Sequence, residues 1–178
     1  GDTKGAEEGA VALPRTGQEI SYGAGDDGFV KAGVAWPNPR FVDHNNGTVT
    51  DILTTLMWLK DAGTAGPPQC SPGFYKTWTD GLNHVACLNA SSYLGYRDWR
   101  LPNRDELLSL VDRSQVFPAL PTSRPFINIR PSFWSATTNV AEPARVWALS
   151  TEDGAGIDYV KSASAGVWPV RQGQPVTY

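Results

Sequence analysis

The sequence predicts an α+β domain, because two helical stretches precede a series of short β-like runs. Composition points the same way. With 7 Trp, 18 Gly and 14 Pro, and only 19% charged residues, the chain reads as loop-rich with a core built on indoles. Its 178 residues suffice for one domain that buries roughly 70% of the surface of its unfolded chain.

Residues 1–32 are rich in Gly, Ala and acids and lack periodicity, which marks an extended N-terminal arm. The domain proper is expected over 33–174, with 175–178 as a tail. From Trp36 the texture changes. In WPNPRFVDHNNGTVTDILTTLMWLK an Asn-Gly sits between β-forming runs, the strongest local hairpin signal. TVTD alternates like a half-buried strand, and LMWL follows.

The segment TWTDGLNHVACLNA (77–90) places Trp78, Leu82, Val85 and Cys87 or Leu88 on one face at helical spacing. Thr77 or Thr79 can cap its start, Gly81 weakens it, and His84 is expected on its flank. A second helix follows in WRLPNRDELLSLVD (99–112). Asn103 is a natural N-cap, and Asp105 and Glu106 meet the positive end of the helix dipole. Leu107, Leu108, Leu110 and Val111 supply the buried stripe. Arg100 is then expected to pair with a carboxylate or with exposed carbonyls, so this stretch reads as a strand-to-helix joint and not an acid/base site. After Pro118, the runs SFWSATT, ARVWALS, GIDYVK and GVWPVR, separated by turn residues, predict an antiparallel meander.

The net charge of -3 and pI near 5.3 offer no field for nucleic acid or an anionic membrane. No apolar run approaches the ~20 residues of a membrane span. The opening GDTKGAEEGA shows no signal-peptide pattern and has the look of a mature or trimmed end, so it neither shows nor excludes export. Cys70 lies in a Pro-Gly loop (GPPQCSPG) that needs an anchor, so a disulfide to Cys87 is expected. His44 and His84 lack metal-ligand spacing, and no cofactor is expected. Asp43, Asn45 and Asp51 offer calcium-type oxygens, but the glutamate that completes such a loop is missing and a hairpin turn accounts for them. Asn46-Gly-Thr and Asn89-Ala-Ser match the glycosylation pattern, which is common by chance. The motifs of nucleophilic, zinc-hydrolytic and nucleotide chemistry are absent, so no enzyme is expected.

The order DHNNGTVTDILTTLMWLKDA, TWTDGLNHVACLNA, LGYRDWRLPNRDELLSLVD, FWSATT, VWALS and VWPVRQG resembles the Lcl C-terminal domain family. The resemblance runs from about Leu13 to Gly173, including a lead-in similar to one that often precedes the domain. It implies a bacterial surface or secreted protein and a layout like the C-type lectin fold, which hosts both enzymes and binders. The family's namesake is a collagen-like adhesin that binds sulfated glycosaminoglycans. Two departures matter. Where members often end in a pattern like VRCVR, this chain reads Val167-Trp168-Pro169-Val170-Arg171, and it is mildly acidic where sulfated sugars ask for basic patches.

The expected function is therefore non-catalytic binding of a glycan or surface protein by an exported bacterial protein, located outside the cell or in the periplasm. Contact is expected at the meander and its loops, with Asn139, Glu142, Arg145, Trp147, Asp153 and Asp158 as candidates. Of the tryptophans, Trp58, Trp78 and Trp99 are core by pattern. At most one of Trp134, Trp147 and Trp168 is expected to be exposed. The alternative is a structural accessory subunit that docks onto a larger assembly, or a second copy, through the N-terminal arm. An exposed apolar arm favours the subunit; a polar cleft at the meander rim favours the binder.

Overall fold

The computed structural model describes residues 13–173. The first twelve residues of the arm and the tail beyond 173 lie outside the described residues. Three helices and two antiparallel sheets confirm the α+β class. In chain order they are α1 (Asp27–Val30), β1 (Phe41–Asp43), β2 (Thr48–Asp51), β3 (Leu56–Leu59), α2 (Trp78–Ala90), α3 (Arg104–Ser109), β4 (Ser132–Thr138), β5 (Arg145–Ser150), β6 (Gly156–Val160) and β7 (Val170–Gln172). The first sheet has the order β1-β2-β3-β7 and the second β4-β5-β6.

The Asn-Gly hairpin is present: β1 pairs with β2, and Asn46 Oδ1 fixes the turn by accepting from the Thr48 backbone N–H at 3.0 Å. The alternation expected of TVTD is overridden, since all four residues are buried. Its polar side finds partners inside, with Thr50 on His44 at 2.8 Å and Asp51 on the buried Arg40 at 2.8 Å.

The meander has three strands, not four. The GVWPVR run leaves it, and Val170–Gln172 pairs with β3 instead. Pro169 lacks the N–H that a ladder needs, and Val167, Trp168 and Val170 are all fully buried, as a run between two sheets must be. Trp168 is the hub. Its ring lies 5.4 Å from Trp58, 4.8 Å from Phe126 and 4.9 Å from Phe133, and its N–H donates to Leu59 O at 2.9 Å. Other indoles also act as ties: Trp134 donates to Lys76 O, Trp78 to Ser135 O and Trp99 to Tyr93 O. None of the seven tryptophans is exposed.

Helix α2 starts where expected, with Thr77 accepting from Asp80 N at 3.2 Å. Its inner face differs from the prediction. His84 is buried and Leu82 is exposed. Gly81 brings the helix close to the core: a Cβ there would lie 3.2 Å from Val167. Cys87 bonds Cys70, anchoring the Pro-Gly loop to the helix as the sequence suggested.

From residue 13 the arm is not simply extended. Val34 N donates to Leu13 O at 2.8 Å and Arg15 N to Val34 O at 3.0 Å, so the lead-in folds back on itself. Asp26 caps the short α1. Thr16 O then accepts from Arg113 N at 2.9 Å, docking the lead-in against the segment after α3, while Trp36 Nε1 donates to Arg15 O at 2.8 Å within the lead-in. Gly17 is needed at this contact, where any Cβ would collide with the Asp112 carboxylate.

Candidate functional site

Five of the six polar and aromatic candidates gather at one end and face of the meander. Asn139 and Glu142 shape the β4–β5 connection: Asn139 N donates to Arg145 O at 3.1 Å and Arg145 N to Glu142 O at 2.8 Å. Arg145 reaches across to β6, where Nε meets Asp158 Oδ2 at 2.6 Å and Nη2 meets Asp158 O at 2.7 Å. Trp147 is the register partner of Asp158, and the Arg104 guanidinium lies 4.1 Å over its ring. Two buried polar atoms of this group, Arg104 Nε and Asp158 Oδ1, have no hydrogen-bond partner. Asp153 is elsewhere. It sits in the turn at the opposite end of β5, where the Ala155 N–H, at 3.0 Å, holds its carboxyl below the ordinary range.

The stretch 99–112 is a joint. Asn103 accepts from Glu106 N at 2.8 Å, and Glu106 Oε2 accepts from Asn103 N at 2.8 Å, a complete capping box. Arg100 grips the same Glu106 through two bonds of 2.6 Å. Burial pushes the Glu106 carboxyl up, but Arg100 and the Asn103 N–H outweigh it and hold the group below its usual range. The Glu106 carboxylate in turn raises Arg100. Both groups are fully used within the chain.

The calcium-type oxygens are not brought together. Asp43 bonds Lys60 at 2.6 Å, which lowers its pKa, while Asp51 is engaged by Arg40. Both glycosylation-pattern asparagines have structural uses, Asn46 in its turn and Asn89 through two bonds of 2.8 Å to the Trp99 backbone. His84 faces two carbonyls, with Nδ1 at 2.8 Å from Cys70 O and Nε2 at 3.0 Å from Ala65 O. Burial outweighs both and holds its pKa below the ordinary histidine value.

The feature missed by sequence reading is a cleft of about 740 Å³ between the lead-in and the segment after α3, walled by Gln18, Ile20, Tyr22, Trp36, Arg113 and Val116. Its signal was present as Ile20 and Tyr22, large apolar residues in a segment rich in Gly and acids, with Phe29 and Val30 exposed nearby on the same segment. Their low density suggested a tail, and only the fold-back at Val34 and Arg113 shows what they do.

Two antiparallel sheets joined through an indole hub, with Trp168 against Trp58 of one and Phe133 of the other, define a two-sheet α+β domain. Its family is the Lcl C-terminal domain, whose pattern matches residues 47–171, and the chain belongs to that family. The match is narrower than the resemblance from Leu13 to Gly173. The cleft therefore joins a matched wall, 112–116, to a lead-in outside the matched span. No curated protein matches the chain.

Proposed function

We propose that this chain is a non-catalytic protein-binding domain of an exported bacterial protein, fixed to a larger assembly by the face on which the lead-in lies. One observation carries the reading. Ile20, Tyr22, Phe29 and Val30 are 57–83% exposed, although each is large and apolar. Apolar side chains concentrated on one short segment are what a partner covers. The Cys70–Cys87 disulfide supports export, since such bonds persist in oxidising compartments. A non-catalytic reading is supported by His84, which is buried with both ring nitrogens against backbone carbonyls and so is withdrawn from any substrate.

The test is light scattering on material purified under native conditions from its producing cells. A mass greater than one copy of the native chain is expected, falling to that of one copy when Ile20, Tyr22 and Phe29 are replaced by Ser. A native monomer would overturn the reading. Two alkylatable thiols in that native protein would overturn export.

A second reading, a neutral glycan bound at the meander rim in a C-type lectin-like layout, is favoured by the unpartnered Asp158 Oδ1 and Arg104 Nε beside the Trp147 ring. Glycan-array binding lost on Trp147→Ala would support it.

A further inference from the structure

Resting on the reading of this face as protein-binding, we propose that the partner presents carboxylates around a large apolar side chain, and that Phe117 and Arg124 receive it. The first observation is a ridge. Val116 and Phe117 are 66% and 77% exposed. Phe117 holds φ at +50°, in the left-handed region that bulky residues avoid, with its N–H bonded to Glu152 O at 2.9 Å. A strained backbone that keeps an aromatic ring in water gives the isolated domain nothing. The same strain pre-places an anchor for a partner.

The second observation is the ground on either side. The segment 112–118 is a wall shared by two clefts, the one of about 740 Å³ against the lead-in and another of about 440 Å³ running under Phe117 to Arg124, Ile129 and Arg130. The ridge stands between two hollows, a shape that takes an extended segment with alternate side chains.

The third observation is charge. Arg15, Arg113, Arg124 and Arg130 line these clefts, and none of them makes an ion pair among the described residues. Each is tied to a neutral backbone carbonyl instead, Gly33 O, Gly154 O, Pro121 O and Gly73 O respectively, and Arg130 also lies 5.1 Å over the Tyr75 ring. Arg124 Nε is buried with no partner at all. Of the acids in the same linings, Glu19 is paired with Lys31 and Asp112 accepts from the Ser114 N–H and hydroxyl, leaving Glu152. On a chain of net charge -3, this face carries oriented guanidinium groups with no carboxylate in contact among the described residues. Arg113 and Arg15 act only at longer range, on Asp153 and Glu19 respectively. Arginine forks match carboxylates, and the apolar ridge between them selects a peptide over a polysaccharide.

The experiment pans phage-displayed random dodecapeptides against the whole chain. Synthetic versions of the recovered peptides are then titrated against the parent, Phe117→Gly, Arg124→Glu and Phe29→Ser. Peptides bearing Asp or Glu beside Phe, Trp or Leu are expected. Phe117→Gly should weaken them about tenfold or more without lowering the melting temperature, because glycine accepts the left-handed backbone. Arg124→Glu should weaken them by a comparable factor at low salt and less at high salt. Recovered peptides without carboxylates, or indifferent to both variants, overturn the inference. If they then respond to Phe29→Ser, the broader protein-binding reading stands. Recovery of no peptide overturns both, as does tight binding of heparin in its place. Concentration-dependent self-association lost in Phe117→Gly would make the occupant a second copy and overturn the acidic partner.

Discussion

The meander rim and the lead-in face divide the arginines of this chain between two conditions. At the rim, Arg145 is matched by Asp158, with Glu142 3.9 Å away, and Arg104 lies over an indole. Around the two clefts beside segment 112–118, four arginines are steadied by backbone carbonyls, Arg130 also by the Tyr75 ring 5.1 Å away, among apolar side chains left in water. The difference teaches where charge serves the fold and where it is left for something else. A matched pair stabilises the domain and has little left to offer a ligand. A guanidinium held by neutral oxygens is oriented while its charge stays uncompensated.

Removing charges one by one sharpens that contrast. The largest effect is expected at the deepest pair. Asp51→Ala leaves Arg40 buried against Ser109 O without its carboxylate, and should lower urea stability by about 3–5 kcal/mol. A loss below about 1 kcal/mol would break the link between matching and stability. Asp158→Ala, at a half-buried pair, should lose about 1 kcal/mol by the same measurement and leave any peptide binding at Phe117 unchanged. Glu106→Gln should lose roughly 0.3–1 kcal/mol as the helix start gives up its charge. A loss of binding without loss of stability would instead make the joint a site.

Acid titration gives a fourth prediction. The folded-state pKa of His84 is depressed, so its contribution is complete above the unfolded value of about 6.5 and is lost as pH falls toward the folded value. The carboxyls of Asp98, lowered by Arg171, and Glu106, lowered against its burial by Arg100, contribute fully above about 4 and lose that contribution below it. Urea midpoints from pH 8 to 3 should therefore fall in two stages. His84→Gln should remove the upper stage alone.

Local signals were legible in the sequence. Asn46-Gly47 turned its hairpin, Thr77 started α2, and Asn103 with Glu106 built a capping box, because each needs only residues within a few positions. What escaped was decided at a distance. Val167 to Arg171 is apolar enough for either sheet, and the choice of β3 rests on partners more than a hundred residues away. His84 reads as a flank residue until Ala65 and Cys70 close over it. The arginine face could not be read at all, since an arginine is free or matched according to where the carboxylates of the whole chain fall.

The pairing of β7 with β3 also sets a timetable. Arg171 reaches Met57 across 114 positions, and Val170 exchanges backbone bonds with Arg100. A chain made from its N-terminus forward holds the edge of β3 open until Val170 has emerged, however well its early hairpins and helices have formed. Any product cut short before that point keeps a bare, apolar strand edge on display to proteases and chaperones. β7 thus closes the open edge of the first sheet only once the residues after Trp168 are in place.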